Sequence, residues 1–192
     1  MDLNKRFLEF SAANEILIHF FNHYGYYDGT FYPREHLNSG YMILRQAEHY
    51  LNDTKRTEIA RSFVFGAARN IRQVLRYYQN REHDVSSVLA EVDDLLAHLK
   101  DMSNVDSLMG VEGNVRERYY TAFDDIHGNE RFPFAGRTRR PPKNEMNTLI
   151  SFGNGILYSK VLSQIYRTHL DPRIGFLHTT NSRLSPLFLE KL

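Results

Sequence analysis

Apolar residues in this chain recur mostly at intervals of three and four, and at strand-like intervals only near its start. Leu3, Phe7, Leu8 and Phe10 suit one short helix. Ile16-Leu17-Ile18-His19-Phe20-Phe21 follows, a β-branched and aromatic run of strand length. Gly25 and Asp28-Gly29 punctuate an aromatic-rich stretch from Tyr24 to Tyr32, and Pro33 closes it. One helix, one strand and a turn cannot sustain a sheet alone. Residues 1–36 therefore read as the end of a small β-rich N-terminal domain.

From Leu37 the pattern is helical, and residues 37–192 read as an all-α domain. Ser39 is placed to cap a helix to about Tyr50, and Asp53 or Thr54 the next, to about Gln79. Phe63, Ala67, Ile71, Leu75 and Tyr78 give that helix an apolar stripe. A third helix starts near Asp84 or Ser86, with Val88, Val92, Leu95, Leu96 and Leu99 inward and a solvated acidic face of Glu91, Asp93 and Asp94. A fourth covers Ser107 to about Asp125. A polar loop, His127 to Pro142, precedes a long fifth helix from Lys143 or Asn144 to about Thr168. Asp171-Pro172 ends it, and Ser185-Pro186 reads as the start of another helix that the chain leaves short. The fold class expected is mainly α.

Composition excludes several classes. The 192 residues contain no cysteine, which removes disulfide scaffolds, thiolate zinc sites and cysteine nucleophiles, and points to the cytoplasm. No apolar run is long enough to span a membrane, and no signal-peptide pattern opens the chain. The formal net charge of +1 hides a gradient: residues 131–192 carry ten Lys and Arg against three Asp and Glu. A basic C-terminal third suits a polyanion partner.

Four segments carry candidate chemistry. In Gly110-Val111-Glu112-Gly113-Asn114, a carboxylate sits between two glycines that each cost a helix about 1 kcal/mol. That expense suggests close approach of a backbone, ligand or metal; a surface pair with Arg116 is the plainer reading. Arg137-Thr138-Arg139-Arg140-Pro141-Pro142-Lys143 places four basic groups in seven residues with no acid between. Guanidinium forks fit phosphate oxygens, which suits a phosphodiester backbone. Asn147, Ser151, Asn154 and Tyr158 form a polar stripe on an otherwise apolar helix, and Gly153 and Gly155 allow close packing. His178, in Gly175-Phe176-Leu177-His178, would make with Glu112 a mixed oxygen and nitrogen site suited to Mg²⁺ or Mn²⁺. No P-loop, dinucleotide fingerprint, His-Glu-x-x-His or Gly-x-Ser-x-Gly motif is present. His83-Asp84 is the dipeptide of helical metal phosphohydrolases, without further ligands to support it.

Taken in order, these segments resemble the CRISPR-associated integrase/endonuclease family of spacer acquisition, most closely its type I branch. The matching stretches are Ile18-His19-Phe20-Phe21, Tyr24-Gly25-Tyr26-Tyr27, Phe31-Tyr32-Pro33-Arg34-Glu35, Leu37-Asn38-Ser39-Gly40-Tyr41, Met109-Gly110-Val111-Glu112-Gly113-Asn114, Arg139-Arg140-Pro141-Pro142, Asn147-Thr148-Leu149-Ile150-Ser151-Phe152-Gly153 and Gly175-Phe176-Leu177-His178. The resemblance implies a β-rich N-terminal domain before an all-α catalytic domain, both represented here in part. It implies a metal site of Glu112, His178 and a later acid expected just past Leu192, with Glu190 as a supporting carboxylate. Arg139, Arg140 and Lys143 are the candidates for holding DNA, and Asn147 and Ser151 for orienting water or phosphate. The implied activity is metal-dependent cleavage and transesterification of double-stranded DNA. The implied partners are a second copy of the chain and the small ferredoxin-like second Cas protein. The alternative is a non-catalytic DNA-binding or assembly fragment of the same complex.

Overall fold

The structure is a computed structural model, described here for residues 3–33, 37, 39, 40–139 and 141–178. It is mainly helical, with one small sheet. The elements are α1 (Lys5–Ala13), β1 (Ile18–Phe21), β2 (Tyr27–Phe31), α2 (Gly40–Leu51), α3 (Asp53–Gln79), α4 (Ser86–His98), a 3₁₀ turn (Leu99–Asp101), α5 (Val105–Thr121), α6 (Phe123–His127) and α7 (Glu145–Tyr166). Caps set several starts. Asn4, Asn52 and Asn104 each accept a backbone N–H of the first turn of α1, α3 and α5. No helix among the described residues is long and apolar enough to cross a membrane.

The described residues fall into two compact units, neither a single stretch of chain. The first takes residues 3–46 and 149–173. The aromatic stretch expected as a turn after one strand is itself a second strand. β1 and β2 pair antiparallel, Ile18 opposite Phe31 and His19 opposite Thr30, with an irregularity between Phe20 and Phe21. Asn22 and Gly25 make the turn. The Asn22 side chain accepts from Tyr24 N and Tyr26 N, and Gly25 takes a positive φ of 78° that other residues resist. Two strands are marginal alone, and α7 supplies the support. Tyr27 meets Tyr158 edge-on at 4.7 Å between ring centres, and the Phe21 ring reaches within 3.4 Å of where a Cβ at Gly155 would stand. Gly155 thus has the close contact expected of it, whereas around Gly153 the described residues leave open space. Gln46 ties α2 to the chain after α7 by reciprocal bonds with Asp171: its Nε2 donates to Asp171 O and its Oε1 accepts from Asp171 N.

The second unit takes residues 47–148 and 174–178. Its core lies among α3, α4 and α5 and contains Ala60, Val64, Ala68, Leu75, Val85, Leu89, Val92, Leu99, Leu108, Val111, Val115 and Ala122. The inward stripe of α3 differs from the expected one in its first half. Thr57, Ala60, Val64 and Ala68 face in, while Phe63 is 54% exposed. Both sets have helical spacing. The small set wins because it lets a neighbouring helix approach closely. The acidic face of α4 is not simply solvated. Asp93 takes a two-pronged bond from Arg72 of α3, and Glu91 pairs with Arg118 of α5 at 2.8 Å. The fourth helix breaks near Ala122 into α5 and α6.

Candidate metal and phosphodiester site

Glu112 lies midway along α5, one turn after the buried Leu108 and beside the buried Val111. That neighbourhood draws its carboxylate half out of water: the side chain is 17% exposed and its partner Arg116 22%. Arg116 donates through Nη2 to Glu112 Oε1. This is a shielded pair in regular helix, not the loose surface pair that the glycines allowed as a reading. Around Gly110 and Gly113 nothing among the described residues comes within 4 Å of a built Cβ, so the flanks of Glu112 are open.

The basic loop is held by Asn147. This residue is fully buried at the start of α7. Its side-chain oxygen accepts from Arg137 Nη1 and Thr138 N, and its amide donates to Gly136 O and Asn144 Oδ1. A carboxamide offers two protons and two lone pairs, and all four are spent on residues 136–144. Asn147 therefore shapes the loop and has no polar capacity left to orient water. Further anchors are Lys143 N on Thr138 Oγ1, Phe134 N on Asp124 Oδ1, and the Phe134 ring against Tyr120 and Phe123.

Anchored in this way, the loop brings arginines into electrostatic reach of Arg116. Burial holds Arg116 below the ordinary guanidinium value, Tyr120 opposes this, and the charges of Arg139 and Arg137 lower it further. It remains a cation, as guanidinium groups in proteins do. Arg116, the partner of Glu112, thus has two further guanidinium groups within electrostatic reach. Of the three, Arg116 and Arg137 are the two that the sequence reading did not choose; both stood beside residues it did choose. Arg139 and Lys143 are exposed, and Ser151 is half-buried in the first unit. Arg140 and Glu190 lie outside the described residues.

His178 is half-buried in the same unit as Glu112. The segment before it is fixed. Arg56 of α3 donates to Phe176 O at 2.9 Å while stacking on Tyr50, and Leu177 packs on the core. His83 has a different role: its Nδ1 meets Asp125 O at 2.6 Å and its ring stands edge-on to Tyr78. Among the described residues no three His, Asp or Glu side chains converge, so nothing supports the phosphohydrolase motif.

The family model described as CRISPR associated protein Cas1 matches residues 1–190. The chain belongs to the Cas1 family. A curated relative from Thermodesulfovibrio yellowstonii, CRISPR-associated endonuclease Cas1 2, is 55% identical over 99% of this chain and 58% of its own length. CRISPR-associated endonuclease Cas1 of Thermotoga maritima is 53% identical over 99% and 57%. The chain thus spans a little over half the length of these curated relatives. A solved Cas1 structure from Thermotoga maritima is 54% identical, with a TM-score of 0.83 over 98% of this chain and 58% of that one. At the level of fold alone, a casposase bound to integration product has a TM-score of 0.82 at 21% identity, covering 99% of this chain and 54% of that one. The Cas6-RT-Cas1–Cas2 complex has a TM-score of 0.78 at 22% identity, covering 98% and 21%.

Among the described residues no three metal-ligating side chains converge at Glu112 or His178, though each offers a donor of a type that hard divalent cations accept. Glu112 is a shielded carboxylate that already holds a cation, the Arg116 guanidinium, and His178 offers an imidazole.

Proposed function

We propose that this chain carries the active region of a DNA endonuclease and integrase that inserts spacer DNA into a CRISPR array in prokaryotic antiviral defence. Glu112 and His178 hold Mg²⁺ or Mn²⁺, and Arg139, Arg140 and Lys143 hold the phosphodiester backbone of double-stranded DNA. The observation that carries the reading is the shielded carboxylate of Glu112, paired with Arg116, in a Cas1-family chain whose relatives are named endonucleases.

When bound, the cation polarises the scissile phosphate and offsets the charge that develops on it. Glu112 contributes hard oxygen and His178 nitrogen. The arginines orient the phosphate, and Asn147 keeps their loop in place. The open flanks at Gly110 and Gly113 leave a strand room to reach the carboxylate. In integration the 3′-hydroxyl of the incoming strand attacks phosphorus as the bond to the leaving 3′-oxygen breaks; in cleavage water attacks instead. One P–O bond replaces another, so positioning and charge supply the catalysis. The proposed partners are a second copy of the chain and the small ferredoxin-like second Cas protein. The likeness of fold to part of a Cas1–Cas2 assembly supports the latter. The proposed compartment is the cytoplasm.

A strand-transfer assay with labelled duplex and Mn²⁺ tests this. Glu112→Ala and His178→Ala are expected to abolish product while duplex binding persists. Product formation by Glu112→Ala, or loss of folding and binding together, would remove Glu112 from the ligand role.

A further inference from the structure

The loop between α6 and α7 holds Arg131 by its backbone through a chain of hydrogen bonds. Arg131 N donates to Asn129 Oδ1 at 3.1 Å, and Asn129 N donates to His127 Nδ1 at 3.0 Å. Since that ring nitrogen accepts, the imidazole proton sits on Nε2, which donates to Asp124 Oδ1 at 3.1 Å. The same carboxylate oxygen accepts from Phe134 N at 2.8 Å, and Phe132 N donates to Asn129 O at 3.0 Å. Residues 124–134 thus close on themselves, with the buried Phe134 ring against Tyr120 and Phe123. Asn144 Nδ2 donates to Pro133 O at 3.3 Å, which brings Lys143, its neighbour in sequence, back beside the segment that carries Arg131. Several arginines of this unit are engaged within the fold: Arg72 with Asp93, Arg116 with Glu112, Arg118 with Glu91 and Arg137 with Asn147. Arg131 is exposed instead, and among the described residues its side chain makes no hydrogen bond or ion pair, not even with the adjacent Glu130. The same holds for the side chain of Lys143.

We infer that Arg131 is a further contact to the phosphodiester backbone of DNA, presented beside Lys143 by the Asp124–His127–Asn129 relay. The inference rests on the reading that this loop holds DNA. A guanidinium without an internal anion has none to give up, and its fork matches phosphate oxygens. A backbone fixed beforehand lowers the ordering cost of the contact. Asp124 is an acid at the base of a loop that receives a polyanion, and its Oδ1 serves Phe134 N and His127. Asp124, His127 and Asn129 are therefore positioning residues that act through Arg131. Contacts to the phosphate backbone carry no base preference, so Arg131 adds affinity evenly across sequences.

The test is fluorescence anisotropy of labelled duplexes on the full chain, across a NaCl series in EDTA. Arg131→Gln should lower the log–log salt slope by about one unit, and should weaken binding equally for duplexes of unrelated sequence. Arg131→Lys should keep the slope, because counterion release counts charge. Asn129→Ala removes the acceptor of Arg131 N. It should weaken duplex binding by the unmodified protein and have no further effect on Arg131→Gln. A merely structural role of Asn129 would weaken both alike. The inference is overturned if Arg131→Gln keeps the slope while Lys143→Gln, or the joint change of Arg139 and Arg140, lowers it. It is overturned equally if Asn129→Ala weakens Arg131→Gln as much as the unmodified protein. If none of these changes moves the slope, the reading that the loop holds DNA falls first and the inference with it.

Discussion

His19 shows how much one side chain's role depends on distant partners. Its Nδ1 lies 2.6 Å from Thr30 Oγ1 and its Nε2 3.0 Å from Ser163 Oγ, while Tyr27 OH is 2.5 Å from Thr30 Oγ1. Ser163 already donates its proton to Ser159 O. It can therefore only accept from His19, which puts the imidazole proton on Nε2 and makes Nδ1 the acceptor of the Thr30 hydroxyl. Thr30 in turn accepts from Tyr27. The chain of bonds needs neutral imidazole, and burial lowers the pKa of His19 from 6.5. A lowered folded-state value means that the stabilisation is whole above the unfolded value and is lost as pH falls through the folded one. The stability advantage of the unmodified protein over His19→Gln should shrink as the pH falls below about 6.5. Melting temperatures across that range check it, and a constant difference would contradict it. The sequence showed His19 only as part of a strand-like run, because Ser163 stands 144 positions away. Glu112, His178 and the arginines were legible as candidates because motif and local charge mark them. The consumption of Asn147 by its loop was not, since a polar stripe on a helix does not say which partners fill it.

At the scale of elements, helix spacing was legible nearly throughout, and its errors have physical causes. β2 was missed because Asp28-Gly29 suits a turn, and only pairing with β1 makes it a strand. The face of α3 was misjudged because large residues were preferred to the small ones that permit close packing. The glycines of α5 give a direct check. Gly113 lies in regular helix with open space around it. Gly113→Ala should raise stability by about 1 kcal/mol. The same change should impair strand transfer if DNA approaches along that flank. An unaltered assay would place DNA elsewhere. At the start of α7, Asn147→Ala should cost about 3 kcal/mol, because several buried loop groups lose their partners. Chemical denaturation reads the loss, and a value near zero would mean that the loop holds itself.

On the scale of the whole molecule, the charge gradient along the sequence becomes an arginine-rich loop within electrostatic reach of Arg116. Changing Arg139 and Arg140 together to Ala should flatten the salt dependence of duplex binding by about two units of log–log slope. An unchanged slope would take them off the DNA. Unit by unit, the chain leaves aromatic side chains on its surface, among them Phe20, Phe21 and Tyr24 of the hairpin, with Tyr24 73% exposed. Such groups side by side favour association. The membership of the Cas1 family was legible from motifs spread over the chain, whereas the division into two interleaved units was not, because it rests on the return of α7 to the hairpin. The measurement that bears most directly on the account is anomalous diffraction from crystals grown with Mn²⁺ and a short duplex. The account predicts a Mn²⁺ peak bonded to both Glu112 and His178. A peak away from Glu112 beside bound DNA would contradict it.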